Sequence, residues 1–511
     1  MAERVTDSGT IGGTLLDHAS ERPGEPAVTT GDGTTTYAQL AENAKRAAAA
    51  LRAAGVQRGD RVAILARNGL PYVELTFGAS LAGAVLVGLN IRLSAPELAD
   101  IIGDAAPVLV FVEDEWEHLL AQTPDVPTLV WLDREYKHWR SSGSDGFHVQ
   151  RGDPDAVVLQ MYTGGTTGRA KGVMLLERNV VANVRAVSQV WLMDAATRTL
   201  SVLPLFHVSG TGFGYSTLYA GGELVLPREA TPPLILREIA ERRISHSALV
   251  PSMIAQLLID PACGTTDLSS LRVLVYGAAP SAGTTIGEAM QLLPNCAFFH
   301  GYGLTETCGG IACSPPHYFG DEDDGKHGSV GQAIPTYDLK IVDRDTLEDL
   351  PPGKDGEVWA RGPQNTIGYW NRPDETASLL MPDGWLRTGD IGVMDEDGYL
   401  YLKDRLKDMI ITGGENVYSV EVENALVAHP SVLEAAVYGV PDERWGEAVW
   451  ATVSLKPKHE ARAEELIAFT RERLAHYKCP KVVEVVDDLP KSGSGKILKR
   501  ELRDQHLSGA R

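Results

Sequence analysis

An α/β chain built as a large domain followed by a small one is what this sequence predicts, and three observations carry that expectation. Its 511 residues exceed what one hydrophobic core organises well. Helical and strand-like hydrophobic periods alternate along most of the chain, without an internal repeat or a low-complexity tract. Near residues 403–408 the pattern stops and restarts, which divides the chain into units of residues 1–404 and 405–511. The second, of about 100 residues, suffices for a small α+β domain.

In the first unit, residues 37–54 read as an amphipathic helix ended near Gly55, and residues 61–65 as a short buried strand. The pattern recurs at 81–87 and 108–112, and strands are expected at 156–161 and 271–275, each running into a glycine-bearing turn. The longest apolar stretch, residues 75–89, falls short of the ~20 residues that span a bilayer and reads as a buried helix. In the second unit, a helix is expected over 420–428 with Ser419 as its cap and Pro430 after its end. A strand at 433–440, a helix at 463–475 and a strand at 482–486 follow.

Lys plus Arg number 47 against 68 Asp plus Glu, a formal net charge of −21 that argues against nucleic acid or an anionic membrane as the main partner. The excess is uneven: from Arg405 onward there are 16 basic and 17 acidic residues, so nearly all of it precedes that point. Five cysteines occur without a Cys-x-x-Cys pair, and no His-x-x-x-His is present. Free thiols in a cytoplasmic protein are expected rather than a zinc site or disulfides. The N-terminus has no signal-peptide pattern, and Ser508-Gly509-Ala510-Arg511 is no peroxisomal tag.

The densest chemical signal is Tyr162-Thr163-Gly164-Gly165-Thr166-Thr167-Gly168-Arg169-Ala170-Lys171-Gly172. Glycines admit a close ligand and positive φ. Threonine hydroxyls and free N–H groups cradle phosphate, and Lys171 adds a cation. It is not a Walker loop, because Ala170 stands where the second Gly belongs and Gly172 where the Ser/Thr belongs. Gly210-Thr211-Gly212 begins no dinucleotide fingerprint, because Tyr215 replaces the third Gly.

Further motifs follow in order. They include Leu203-Pro204-Leu205-Phe206-His207, Tyr276-Gly277-Ala278-Ala279-Pro280 and His300-Gly301-Tyr302-Gly303-Leu304-Thr305-Glu306-Thr307. Trp385-Leu386-Arg387-Thr388-Gly389-Asp390, Lys403-Asp404-Arg405-Leu406-Lys407-Asp408, Gly413-Gly414-Glu415-Asn416 and Pro490-Lys491-Ser492-Gly493-Ser494-Gly495-Lys496 complete the set. With the glycine–threonine loop, this series resembles the acyl-adenylate-forming superfamily, in its acyl-CoA and aryl-CoA synthetase branch, over essentially the whole chain. Each motif alone reads more blandly: Glu306 as a surface glutamate, Asp390 as a turn residue, Lys496 as a solvated charge in a Ser/Gly-rich tail.

The resemblance implies a large multi-subdomain adenylation domain and a small mobile α+β domain with a hinge near Lys407. It implies that a carboxylate attacks the α-phosphate of ATP with loss of pyrophosphate, and that a thiol then displaces AMP. It assigns Thr163, Gly164, Gly165, Thr166, Thr167, Gly168 and Lys171 to the β- and γ-phosphates, Thr305 to the α-phosphate, and Glu306 with Thr167 to Mg²⁺. It assigns Gly277, Ala278, Ala279, Gly301, Tyr302 and Gly303 to the walls around adenine, Asp390 and Arg405 to the ribose, and Lys496 to catalysis. The acid is expected against His207, Phe206, Gly277 and Gly301, with Gly210, Gly212 and Gly214 leaving room beside His207. Coenzyme A is expected at Gly413, Gly414, Glu415 and Trp445.

Amino-acid-activating relatives carry Asp where this chain has His207, so a fatty, cyclic or aromatic acid is expected. No carrier-protein segment follows Lys496. The acceptor is therefore expected to be free CoA, the alternative being a separate carrier protein. The partners so implied are small molecules, in a monomer or a homodimer.

Overall fold

The structure is a computed structural model. It describes residues 9–121, 123, 128–143, 151–163, 170–277, 283–318, 320, 326, 328–413, 415–442, 444–491 and 497–507. Among them lie two large sheets of α/β type, one antiparallel sheet, and a fourth sheet in the small C-terminal domain.

The first large sheet is ordered Thr128–Trp131, Leu109–Val112, Arg61–Leu65, Val85–Leu89, Val157–Thr163, Lys171–Leu176. Its strands are parallel except the last pair, in which Thr163 lies opposite Lys171. Four strands buried on both faces explain the unbroken apolar runs in the sequence. The apolar stretch 75–89 is not one helix. The helix Leu70–Ala82 ends at Gly83, whose φ of 70° is left-handed, and a strand begins at Val85.

The second large sheet holds a parallel centre that includes His246–Leu249, Val273–Gly277 and Ala297–Leu304. The antiparallel sheet comprises Asp338–Val342, Gly356–Arg361, Leu386–Met394 and Leu400–Arg405. The first large sheet packs closely on the segment that precedes the helix Val208–Tyr219. A Cβ on Gly88 would fall 2.9 Å from the Cα of Phe206.

In the small domain the strand Val482–Val486 lies where the sequence places it, and the helix begins at Ala463 but stops at Arg471. The helix Ser419–Val427 differs in one respect. Its cap position is Tyr418, and Ser419 is its first helical residue. The N-terminal N–H of that helix is satisfied from outside, by the carboxylate of Asp404.

The helix Ile11–Glu21 is anchored by a buried carboxylate. Ile11 N–H donates to Glu177 Oε2 at 2.9 Å, Gly12 N–H donates to Ser80 Oγ at 3.0 Å, and the Ser80 hydroxyl donates to the other oxygen of Glu177. Burial pushes the Glu177 carboxyl up from 4.5 to about 7, against those two donors. The folded state thus holds this proton more tightly than the unfolded chain does. The resulting stabilisation is complete below pH 4.5 and is lost as pH rises through about 7. Urea unfolding at several pH values checks this: the stability of the native chain relative to Glu177→Gln should fall between about pH 5 and 8. A constant difference would contradict it.

Candidate active site

Strands of all three large-domain sheets bring the motif residues together. Val273–Gly277 and Ala297–Leu304 pair in register with Gly277 opposite Gly301. A Cβ on Gly277, at φ +157°, would lie 2.2 Å from the Gly301 carbonyl oxygen, and one on Gly303 would lie 1.8 Å from that of Gly309. Both positions therefore need glycine for backbone approach. Gly301 itself is less confined, with Val275 and Trp191 at 3.6 and 3.7 Å from an added Cβ.

Tyr302 is buried, and its hydroxyl donates to Asp390 Oδ2 at 2.6 Å. Burial and that carboxylate hold the phenol well above its ordinary pKa. Asp390 Oδ1 faces Arg405 Nε at 2.9 Å, and the two residues are register partners on adjacent strands. Asp390 thereby serves a tyrosine and an arginine while retaining lone pairs that suit ribose hydroxyls.

Glu306 follows directly after the buried Thr305. Its Oε1 accepts from the Tyr369 hydroxyl at 2.8 Å, and its carbonyl accepts from Thr366 N–H at 2.8 Å. Lys171 Nζ lies 5.0 Å from the centre of the Tyr369 ring, a cation–π distance. Tyr369 thus joins two expected phosphate-side residues, and the motif reading missed it. The signal was the pair Tyr369-Trp370 directly after Gly368. That segment docks on the strand Lys171–Leu176 through Met174 N–H to the Gly368 carbonyl (3.0 Å) and Trp370 N–H to the Gly172 carbonyl (2.7 Å).

Glu306 has one oxygen committed to Tyr369, and no cluster of three or more metal-ligating side chains occurs among the described residues. One carboxylate completed by substrate phosphates and water suits Mg²⁺ rather than a metal caged by protein. The donor chemistry therefore fits.

His207 caps the helix Val208–Tyr219, its Nδ1 accepting from Ser209 N–H at 3.3 Å and lying 3.0 Å from Ser209 Oγ. Accepting there puts the ring proton on Nε2. Phe206 is buried in the core beneath it. The glycines beyond His207 do not leave open room. A Cβ on Gly210 would lie 2.1 Å from the Pro204 carbonyl oxygen, one on Gly212 3.3 Å from Asn183, and one on Gly214 3.5 Å from Leu224. Gly210 lets the helix pack against the backbone of Pro204, while Gly212 and Gly214 face side chains at close to ordinary contact distance.

On the small-domain sheet, Gly413 N–H donates to the Trp445 carbonyl at 2.8 Å, and Glu415 opens the strand Glu415–Val417. Trp445 is 41% exposed, with Arg444 4.7 Å and Lys481 5.6 Å from its ring centre. Lys407 lies exposed in the turn after Arg405. Thr163 ends its strand opposite Lys171. Gly164, Gly165, Thr166, Thr167, Gly168, Ala278, Ala279, Gly414 and Lys496 lie outside the described residues.

Acidic, aromatic and cationic side chains gathered where the sheets of an α/β frame meet suit a ligand-binding site. Comparison with known proteins specifies which. The chain belongs to the AMP-binding enzyme family, which it matches over residues 15–370, with the family's C-terminal domain at 421–496. It is 39% identical to a fatty acid–[acyl-carrier-protein] ligase of Streptomyces coeruleorubidus over 96% of this chain and 95% of that protein. It is 37% identical to a feruloyl-CoA synthase of an Amycolatopsis species, over 96% and 98%. Among solved structures it resembles ATP-bound MatB from Rhodopseudomonas palustris, with a TM-score of 0.88, 30% identity, and coverage of 98% of this chain and 100% of that one. The apo form of the same MatB matches over the same shares at 0.77. No helix among the described residues is long and apolar enough to cross a membrane.

Tyr369→Phe should remove a hydrogen bond to a charged acceptor, a contact of ~1.5–3 kcal/mol. The expected loss in kcat/KM for MgATP is roughly 10- to 100-fold, read by acid-dependent ATP–pyrophosphate exchange. An unchanged value would leave the contact to Glu306 without a role.

Proposed function

We propose that the chain is an AMP-forming ligase that joins a fatty, cyclic or aromatic carboxylic acid to coenzyme A. The observation that carries this reading is the convergence of Lys171, Tyr369 and Glu306 with Tyr302, Asp390 and Arg405. The first group suits polyphosphate and the second a nucleoside. In the first step an acid oxygen attacks the α-phosphorus of ATP and pyrophosphate leaves. In the second a thiol sulfur attacks the acyl carbon, and AMP leaves with the bonding electron pair.

Each residue has an assigned task. Lys171, with Thr163, Gly164, Gly165, Thr166, Thr167 and Gly168, holds the β- and γ-phosphates; Thr305 holds the α-phosphate. Asp390 and Arg405 orient the ribose, and Tyr302 with residues 277–279, 301 and 303 shapes the adenine slot. His207, with Phe206, Gly277 and Gly301, faces the acid; its Nε2 proton would be offered to the carboxylate. Lys496 neutralises charge between carboxylate and α-phosphate. Glu306 and Thr167 would hold Mg²⁺, which when bound neutralises phosphate charge.

The small domain, residues 405–511, is read as turning about Lys407 between the steps, to withdraw Lys496 and present Gly413, Gly414, Glu415 and Trp445 to CoA. The greater likeness to ATP-bound than to apo MatB supports placing the present arrangement at the ATP step. Use of ATP and CoA as co-substrates would suit a cytoplasmic enzyme, and a homodimer is one assembly compatible with this reading. A separate carrier protein as acceptor is the second reading, favoured by the 39% identity to a ligase of that kind.

A panel of fatty, cyclic and aromatic acids scored by AMP release separates the acceptors. Release that requires CoA supports the first reading; pyrophosphate release without CoA consumption supports the second. Lys496→Ala should slow adenylate formation by the equivalent of ~3–4 kcal/mol yet leave thioester formation from supplied acyl-adenylate largely intact. Equal losses in a folded variant would refute the role given to Lys496.

A further inference from the structure

The end of the strand Leu400–Arg405 serves two domains at once. Arg405 turns toward Asp390 in the large domain. Its neighbour Asp404 takes the other face, as successive strand residues do, and meets the small domain. There it accepts from Ser419 N–H and, at 2.9 Å, from the Ser419 hydroxyl. That hydroxyl oxygen in turn accepts from Lys499 Nζ at 2.6 Å, and Lys499 pairs with Glu423 at 2.7 Å. Asp404, Ser419 and Glu423 are all buried, and the Lys499 side chain is 18% exposed.

Three of these four residues belong to the small domain, and Asp404 does not. Lys407 lies between Asp404 and Ser419 in the chain, so a turn there separates the serine from the aspartate. Lys499 also stands three residues after Lys496. The segment carrying Lys496 is pinned on either side: Leu498 N–H donates to the Pro490 carbonyl at 2.8 Å, Lys491 bridges Ile497, and Lys491 Nζ pairs with Glu434 at 2.7 Å. Lys499 therefore ties the far side of that segment to the strand that carries Arg405.

We propose that Lys499 is a positioning residue for adenylate formation, which through Ser419 and Asp404 latches the Lys496-bearing end of the small domain to the large domain. The proposal rests on the roles given above to Lys496 and to the turn at Lys407. When the domain turns for the thiol step, Lys499 keeps its pair with Glu423, while the Asp404–Ser419 bonds open along with the other polar contacts across the turn. The latch acts on one half-reaction.

The test uses the full chain and measures the half-reactions separately: acid-dependent ATP–pyrophosphate exchange, and thioester formation from supplied acyl-adenylate. Ser419→Ala and Lys499→Met should each lower kcat for exchange about 10-fold or more, with KM for ATP within about twofold. Thioester formation should stay within about twofold, and Lys499→Arg should recover most of the exchange. Equal loss in both half-reactions together with a lowered Tm would show a merely structural cluster and overturn the latch. Exchange that survives Ser419→Ala and Lys499→Met, but is lost in Lys496→Ala, overturns the latch alone. Exchange that survives Lys496→Ala overturns the underlying assignment and the latch with it.

Discussion

The ion pair between Asp390 and Arg405 is the contact on which the site depends. Asp390 is 4% exposed, and a buried carboxylate without partners is not tolerated. Its two partners come from different places: Tyr302 from the second large sheet, Arg405 from the last strand of the antiparallel sheet. One side chain therefore fixes how two sheets meet, and does so at the position proposed for the ribose. Glu306 lies four residues after Tyr302 and is held by Tyr369, which is braced on the first large sheet through its neighbours. The charge proposed to orient the nucleoside and the charge that would meet the cation are thus set by one framework.

What the sequence made legible follows from how local each signal is. Strands at 61–65 and 482–486 were read from runs of aliphatic residues that need no distant partner to be recognised. The apolar stretch 75–89 was misread because hydrophobicity is the same in a buried helix and a buried strand. Gly83, which breaks it, acts through a left-handed φ. Asp390, Glu306 and Lys171 were reachable only because each sits in an ordered motif. Tyr369 has no motif of its own, and its role exists only through contacts at a distance in sequence: 63 residues back to Glu306 and a ring beneath Lys171. Gly210, Gly212 and Gly214 show the converse. A glycine marks close approach, but not whether a ligand or the protein's own backbone approaches. Here Gly210 meets the Pro204 backbone, and Gly212 and Gly214 face the side chains of Asn183 and Leu224.

The remaining constraint is mechanical. A two-step ligase with a turning domain needs an interface that holds and then releases. Burial of apolar area holds without direction, at about 25 cal/mol per Å², so a broad greasy interface resists small rotations and large ones alike. The contacts described here across residues 405–418 are polar: Asp404 to Ser419, and Tyr418 to Asp355 at 3.1 Å. Each hydrogen bond has a net worth of ~1 kcal/mol or somewhat more beside a charge, yet it is lost steeply with angle. Such contacts define one orientation sharply and give way cheaply once it is left. The same strand end supplies Arg405 to the nucleoside side and Asp404 to the small domain. A change that tightens one residue must shift the backbone of the other by no more than a neighbouring residue's reach. In the proposed mechanism, nucleoside binding and domain orientation would meet at two adjacent residues.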